Sequence, residues 1–180
     1  MSDIVVLGAG SWGTTVAKVI ADGGHDVTLW SRREELASEI SQTGRNGEYL
    51  PGIDLPKNLI ATSDIAAALE GAKQGYIAIP SQSLRESLAA WKHLIGADAT
   101  LISLMKGLEQ DTGLRMSEVI SQVLGCSIDQ VAVISGPNLA LEIAKREPAA
   151  AVCAGSNSER TTEVARVCSS EYFTVFTNQD

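Results

Sequence analysis

This sequence predicts a doubly wound α/β fold, a largely parallel sheet with helices on both faces. Three observations carry the prediction. Short apolar runs, many of them β-branched, alternate with stretches of helical periodicity along the whole chain. The runs are almost continuously hydrophobic rather than alternating, as strands buried on both faces must be. Several of them end at a glycine, a proline or a polar cluster just before a helix opens.

In chain order, Ile4–Leu7 is too short and too β-branched for a helix and stops at Gly8. A helix is expected from Trp12 to Asp22, ended by Gly23 and Gly24. Asp26–Trp30 reads as a strand, followed by a polar helix from Arg33 to Gln42. The segment Asn46–Pro56, with its glycine and proline turns, reads as an ordered loop. Asn58–Thr62 is a short strand, and Ser63 or Asp64 can cap a helix over Ile65–Glu70. Tyr76–Ile79 is a strand closed by Pro80. Ser83–Leu94 has helical spacing, with Leu84, Leu88, Trp91 and Leu94 on one face. Thr100–Met105 is a strand, and Leu114–Leu124 an amphipathic helix closed by Gly125. The remainder reads as strand Val131–Ile134, helix Leu139–Arg146, strand Ala150–Ala154, helix Glu159–Ser169 and strand Phe173–Phe176. Pattern leaves open whether these late strands are antiparallel additions.

The 180 residues suit one domain, 1–180, and a chain of this length buries roughly 70% of its unfolded surface. Fourteen Lys and Arg against 22 Asp and Glu leave a net charge of −8. Such a surface repels phosphate backbones, so no nucleic-acid partner is expected. Any anionic ligand must be held by local geometry instead. No apolar run approaches the roughly 18 residues of a membrane helix, and the start lacks a basic, signal-like region. Cys126, Cys153 and Cys168 are odd in number and form no Cys-x-x-Cys, and His25 and His93 lie far apart. A reducing, cytoplasmic protein without membrane partner, disulfide framework or structural metal is the expectation.

Gly8-Ala9-Gly10-Ser11-Trp12-Gly13 follows the first strand and opens the first helix, the setting of a dinucleotide fingerprint. Gly8 permits the tight turn, Gly10 lets the backbone approach a pyrophosphate, and Gly13 lets the helix pack closely on the strands. The N–H groups of Ser11 and Trp12 then face the anion. The second strand ends in Trp30-Ser31-Arg32-Arg33, without the carboxylate that usually accepts from an NAD ribose. Guanidinium groups suit a 2′-phosphate, so NADP(H) is expected ahead of NAD(H), with Arg32 preferred over Arg33 as the contact. The competing reading makes both arginines solvated surface charge. Glu34 and Glu35 are expected to face outward and favour the helix dipole.

Ligands of open α/β sheets sit outside the carboxyl ends of the strands. Three further clusters fall at such ends: Ile79-Pro80-Ser81-Gln82, Ser103-Leu104-Met105-Lys106-Gly107 and Ser135-Gly136-Pro137-Asn138. Lys106 follows a buried strand directly, where an ammonium can bond a substrate hydroxyl or carbonyl and stabilise developing charge. Gly136 and Asn138 can offer N–H and amide groups to the same ligand, although Asn138 is equally an ordinary helix cap.

Taken in order, Gly8-Ala9-Gly10-Ser11-Trp12-Gly13, Asn46-x-x-Tyr49-Leu50-Pro51-Gly52, Pro80-Ser81-Gln82, Lys106-Gly107 and Ser135-Gly136-Pro137-Asn138-x-Ala140-x-Glu142 resemble the amino-terminal domain of bacterial NAD(P)-dependent glycerol-3-phosphate dehydrogenases. The resemblance covers essentially the whole chain. It implies a Rossmann-type fold and hydride exchange at C2 between sn-glycerol 3-phosphate and a nicotinamide, giving dihydroxyacetone phosphate, in glycerol-3-phosphate metabolism and phospholipid biosynthesis. It implies that Ser11, Trp12, Arg32 and Ala140 contact the cofactor, with Tyr49 a weaker candidate. Lys106 would touch both cofactor and substrate, and Gly136 and Asn138 the substrate. Where the family more often carries Ser or Thr, this chain has Asn138, and an amide can still donate there.

Members of that family have a second, helical domain that supplies a lysine general base and the groups holding the substrate phosphate. Within these 180 residues neither Lys145 nor His93 is a good substitute, so the chain is expected to bind cofactor and to be inactive alone. An apolar face left without that domain is expected to promote self-association, and a homodimer stays open. Two other functions compete: a non-catalytic NADP(H)-binding module, and a reductase of the 6-phosphogluconate or ketopantoate type. The latter share the glycine turn but not the Asn46–Gly52 and Ser135–Glu142 segments.

Overall fold

Ile4–Leu7, buried along its whole length, forms β1 inside an eight-stranded sheet. The structure is a computed structural model that describes residues 2–179, so the two terminal residues of the expected 1–180 domain lie outside the described ones. The elements that follow are α1 (Ser11–Asp22), β2 (Val27–Trp30), α2 (Glu34–Thr43), β3 (Leu59–Thr62), α3 (Ile65–Leu69) and β4 (Gln74–Ile77). Then come α4 (Leu84–Trp91), β5 (Thr100–Ser103), α5 (Met116–Leu124), β6 (Val131–Ser135), α6 (Ala140–Ala144), β7 (Ala149–Ala154), α7 (Ser158–Cys168) and β8 (Phe173–Asn178). Single 3-10 turns precede and follow α4, so the helix expected over Ser83–Leu94 is split at both ends.

The strand order is β3-β2-β1-β4-β5-β6-β7-β8. The first six strands run parallel, and the order reverses beside β1, whose neighbours are β2 and β4. This is the Rossmann-type sheet that the sequence predicts. β7 pairs antiparallel with β6, and β8 parallel with β7, which resolves the open question about the late strands. The link from β6 to β7 contains only the short α6, and α6 packs on α1. A full crossover helix, which a parallel return requires, is therefore missing there.

Two apolar layers flank the sheet. Val16, Val19 and Ile20 of α1, Leu36 and Ile40 of α2, and Val164 and Val167 of α7 pack on one face. Leu84, Leu88 and Trp91 of α4 with Met116, Val119 and Ile120 of α5 cover the other. Of the two candidates for the α3 cap, Asp64 fills the role, accepting the N–H groups of Ala66 and Ala67.

β4 runs over Gln74–Ile77 rather than the expected Tyr76–Ile79, and three further elements differ from the sequence expectation, each for a local reason. α5 starts at Met116 because Arg115 forms a β-bridge with Leu108 and the Leu114 carbonyl accepts the N–H of Glu109 at 2.9 Å. β5 stops at Ser103, whose hydroxyl accepts the N–H of Met105. α6 is shortened at both ends: Leu139 is extended, and Arg146 takes a left-handed φ of 68°.

Candidate functional site

Register brings the predicted residues to one crest. Leu7 lies opposite Trp30 on one side and Ile77 on the other, Ile77 opposite Ser103, and Ser103 opposite Val133. The chain therefore leaves β1, β2, β4 and β5 at nearly the same height, and β6 a little beyond. Gly8, Arg32, Pro80, Lys106 and Gly136 all follow these exits.

The turn after β1 shows which glycine does what. Gly8 has a φ of 122°, and a Cβ there would lie 2.4 Å from the Ala78 carbonyl oxygen. A Cβ on Gly13 would sit 1.9 Å from the carbonyl oxygen of Gly8, so α1 and the turn touch backbone to backbone. A Cβ on Gly10 would meet nothing within 4 Å and would project into open space. That space is a groove of about 710 Å³ lined by Gly8–Gly13, Trp30, Ser31, Arg32, Arg33, Tyr49 and Trp91. The first bond in α1 runs from the Thr14 N–H to the Gly10 carbonyl at 2.9 Å, so the amides before it lack intrahelical acceptors. A cradle that a Cβ would fill, beside unpaired helix amides, fits a diphosphate. The volume falls within the range of about 300–1,000 Å³ usual for ligand sites.

Arg32 and Arg33 line the same groove in different states. The Arg33 guanidinium donates to the Glu48 carboxylate and lies over the Tyr49 ring, 5.8 Å from its centroid. The bond to Glu48 raises Arg33 above its ordinary value, and the same bond lowers Glu48. Arg32 is exposed, and among the described residues it forms no ion pair. Its charge is thus available to an added anion, whereas that of Arg33 is already shared. Glu34 and Glu35 are exposed in the first turn of α2, as expected.

Next to the groove is a smaller pocket of about 230 Å³. Trp12, Lys106, Gly136, Asn138 and Ala140 line it, with Leu104, Ile134 and Ser135. Trp12 lines both cavities. Lys106 Nζ donates to the carbonyl of Gly136 at 3.0 Å, linking the crests of β5 and β6. Thr15 Oγ1 donates to the Ala140 carbonyl at 3.1 Å, which ties the start of α6 to α1. Asn138 does not cap α6, whose N-cap position is Leu139 without a side-chain bond. Its Oδ1 is instead buried without a partner. An orphaned acceptor beside an ammonium is an arrangement that a bound hydroxyl or carboxamide would complete.

The twelve predicted contacts therefore divide into two groups that meet at Trp12. Gly8, Gly10, Ser11, Gly13, Arg32, Arg33 and Tyr49 line the groove, and Lys106, Gly136, Asn138 and Ala140 the pocket. Lys145, at the end of α6, and His93, in the turn after α4, line neither. Among the described residues no group of His, Cys, Asp or Glu could hold a metal ion, and no helix is long and apolar enough to cross a membrane.

Sequence reasoning assigned no role to Asn46, although it opens one of the quoted motifs. Wholly buried, it bonds the glycine turn through Ala9 and Thr14. A buried Asn in a loop is a recognisable oddity, but its partners are more than 30 positions away in sequence, where local pattern has no reach.

Comparison with known proteins places this geometry among relatives. The sequence profile described as "NAD-dependent glycerol-3-phosphate dehydrogenase N-terminus" matches residues 3–161. A glycerol-3-phosphate dehydrogenase [NAD(P)+] from Corynebacterium glutamicum is 53% identical over 180 residues, which are 100% of this chain and 54% of that protein. The corresponding protein from Corynebacterium urealyticum is 50% identical with the same coverage. The crystal structure of glycerol-3-phosphate dehydrogenase from Coxiella burnetii superposes with a TM-score of 0.90 at 37% identity, covering 98% of this chain and 54% of that one. The chain thus spans about half the length of the curated relatives it matches.

Proposed function

The chain belongs to the family of NAD-dependent glycerol-3-phosphate dehydrogenase amino-terminal domains, and on that premise we propose that it is the cofactor-holding half of an oxidoreductase interconverting sn-glycerol 3-phosphate and dihydroxyacetone phosphate. The observation that carries this reading is that Trp12 lines both cavities. A groove fit for a dinucleotide opens there beside a pocket holding an ammonium and an unpaired amide oxygen.

A nicotinamide dinucleotide held in this groove would supply hydride-transfer chemistry at C2 of the substrate. In this reading the amides of Ser11 and Trp12 hold the diphosphate, and Gly10 gives it room. Arg32 takes the 2′-phosphate, favouring NADP(H) over NAD(H), because its guanidinium is not committed elsewhere. Tyr49 flanks the site through its stack on Arg33. Lys106 Nζ bonds the substrate oxygen at C2 and stabilises the negative charge that builds there as the hydride moves. Gly136 and Asn138 orient the substrate, and Ala140 borders the cofactor.

A general base must reach the substrate hydroxyl through one hydrogen bond or one water. Besides Lys106, neither the groove nor the pocket has a lysine or histidine in its lining. The family resemblance implies that the base, and the groups that hold the substrate phosphate, belong to a helical domain of the longer relatives. The groove of Leu139, Val152 and Phe176, each at least 40% exposed, supports such a packing partner or a second copy of the chain. Cytoplasmic supply of sn-glycerol 3-phosphate to phospholipid synthesis completes the reading.

Titration of the purified chain with NADPH and NADH, followed by tryptophan fluorescence, tests it. Arg32→Ala should weaken NADPH by about 1.5–3 kcal/mol, the usual contribution of a bond to a charged group, and leave NADH unchanged. Equal loss for both dinucleotides would refute the 2′-phosphate assignment. Steady oxidation of NADPH by dihydroxyacetone phosphate on this chain alone would refute the location of the base.

A further inference from the structure

The loop that carries Lys106 is fastened to the start of α4 by side chains that the reading above does not use. Gln82, in the 3-10 turn Ser81–Ser83, engages both ends of its carboxamide. Its Oε1 accepts the N–H of Gln110 at 3.1 Å, and its Nε2 donates to the carbonyl of Leu108 at 2.9 Å. One side chain thus offers the loop a donor and an acceptor, as a neighbouring strand would. One turn further on, Arg85 holds Glu109 through two bonds of 2.8 and 2.9 Å. Arg85 also donates to Gln122 of α5 at 2.7 Å, and the Thr112 hydroxyl donates to Glu109 at 2.5 Å.

These anchors begin two residues after Lys106 and occupy three consecutive loop positions. The chain there has left the sheet ladder after β5 and has not yet entered α5. Its own backbone pairing is confined to the Leu108–Arg115 bridge and the bonds of Glu109 with Leu114 and Gly113, and a segment so lightly paired is ordinarily among the less stable parts of a domain. Gly107 takes a φ of 109°, so the backbone bends between the lysine and its anchors. The Lys106 ammonium must nevertheless reach the Gly136 carbonyl from this loop. Misplacing such a group by about 1 Å costs on the order of a hundredfold in a reaction that depends on orientation.

We infer that Gln82, backed by the Arg85–Glu109 pair, is a positioning residue that holds the Lys106–Gly107 turn at the wall of the pocket. The inference rests on the proposed role of Lys106 beside the nicotinamide. Pro80-Ser81-Gln82 thereby acquires a function distinct from ligand contact: it ties the crest of β4 to that of β5.

Gln82→Met preserves side-chain length and removes both polar atoms at an exposed position, so folding is retained. The probes are NADPH and 2′-phospho-ADP-ribose, which has the same adenine half but no nicotinamide. With the 180-residue chain, Gln82→Met should weaken NADPH about tenfold, because the loosened loop and the Lys106 side chain must then be ordered on binding, and leave 2′-phospho-ADP-ribose unchanged. Amide hydrogen exchange should accelerate across residues 107–112 and stay unchanged in α1. Lys106→Met, as the reference, should show the same selectivity for NADPH. If Lys106→Met is selective while Gln82→Met leaves NADPH binding or loop exchange unchanged, the positioning role is overturned. If Lys106→Met weakens both probes equally or neither, the role of Lys106 itself fails, and the inference built on it fails too.

Discussion

The wholly buried carboxamide of Asn46 donates to the Ala9 carbonyl at 2.9 Å and to the Thr14 hydroxyl at 2.8 Å. Its own Oδ1 accepts the Tyr49 N–H at 3.2 Å, and its carbonyl the Leu50 N–H at 2.9 Å. One residue therefore joins the glycine turn to the loop that carries Tyr49, and Ser11 Oγ reinforces the join by donating to the Tyr49 carbonyl.

Asn46→Leu should for this reason act on stability and binding together. It removes three side-chain bonds at a site closed to water, for an expected loss of about 2–4 kcal/mol. Urea denaturation measures that loss. NADPH affinity should fall as well, because the turn and the Tyr49 loop are no longer held in one geometry.

The three glycines of the turn should separate cleanly. Gly8→Ala and Gly13→Ala drive a Cβ into backbone at 2.4 and 1.9 Å, so both should fail to give soluble folded protein or unfold far more easily. Gly10 has a φ of −74° and open space around it. Gly10→Ala should keep the melting temperature or raise it slightly, by up to about 1 kcal/mol of stability. Its dinucleotide binding should nevertheless collapse. Thermal melts and NADPH titration of the three variants distinguish these outcomes.

Asp22, at the end of α1, accepts hydrogen bonds from three side chains. Lys18 Nζ donates to it at 2.5 Å, the Tyr172 hydroxyl at 2.6 Å and Arg146 at 2.9 Å, and Lys18 is itself 4% exposed. Burial alone would push the Asp22 carboxyl up, but the bonds from Lys18, Tyr172 and Arg146 outweigh it and hold the value below 3.8. Such a group contributes stability that is fully present above its unfolded value and lost as pH falls through the folded one. Asp22→Asn should cost about 3–5 kcal/mol at pH 7, because Lys18 is left buried without its partner. The gap between parent and variant should narrow between about pH 5 and pH 2. Denaturation curves across that range test the sign.

Thiol chemistry should be silent in the native chain. Burial pushes Cys153 and Cys168 up to about 12, and raises the half-buried Cys126 as well. At pH 8, Ellman's reagent should label Cys126 slowly and the other two only after denaturation. Rapid labelling of all three would show that the layer of α7 against the sheet opens readily.

Local pattern was enough to recognise the strands at the centre of the sheet, Ile4–Leu7 above all, although β4 lies two residues earlier than Tyr76–Ile79 and β5 ends two residues before Met105. It failed at the margins, where distant partners decide. Leu114 is apolar and helix-compatible, yet its carbonyl is taken by Glu109, and the helix starts two residues later. Asn138 had the composition of a cap but faces inward with an unpaired oxygen. Sequence position favours Arg32 over Arg33 as the contact, but the pairing of Arg33 with Glu48, 15 positions beyond it, is visible only in the fold.

The order of short buried strands and helices, the glycine turn after the first strand and the absence of a ribose-binding carboxylate after the second are properties of the sequence itself. They follow from steric freedom and hydrophobic periodicity, which act over a few residues. Which strand lies beside which, that β7 runs against β6, and that Trp12 lines both the groove at the glycine turn and the Lys106 pocket were decided only by the tertiary structure. Those facts depend on register and packing between segments up to 150 residues apart, such as Asp22 and Tyr172. Contacts at that range are set by which buried faces and polar groups can satisfy one another at the same time, and no local pattern encodes the choice.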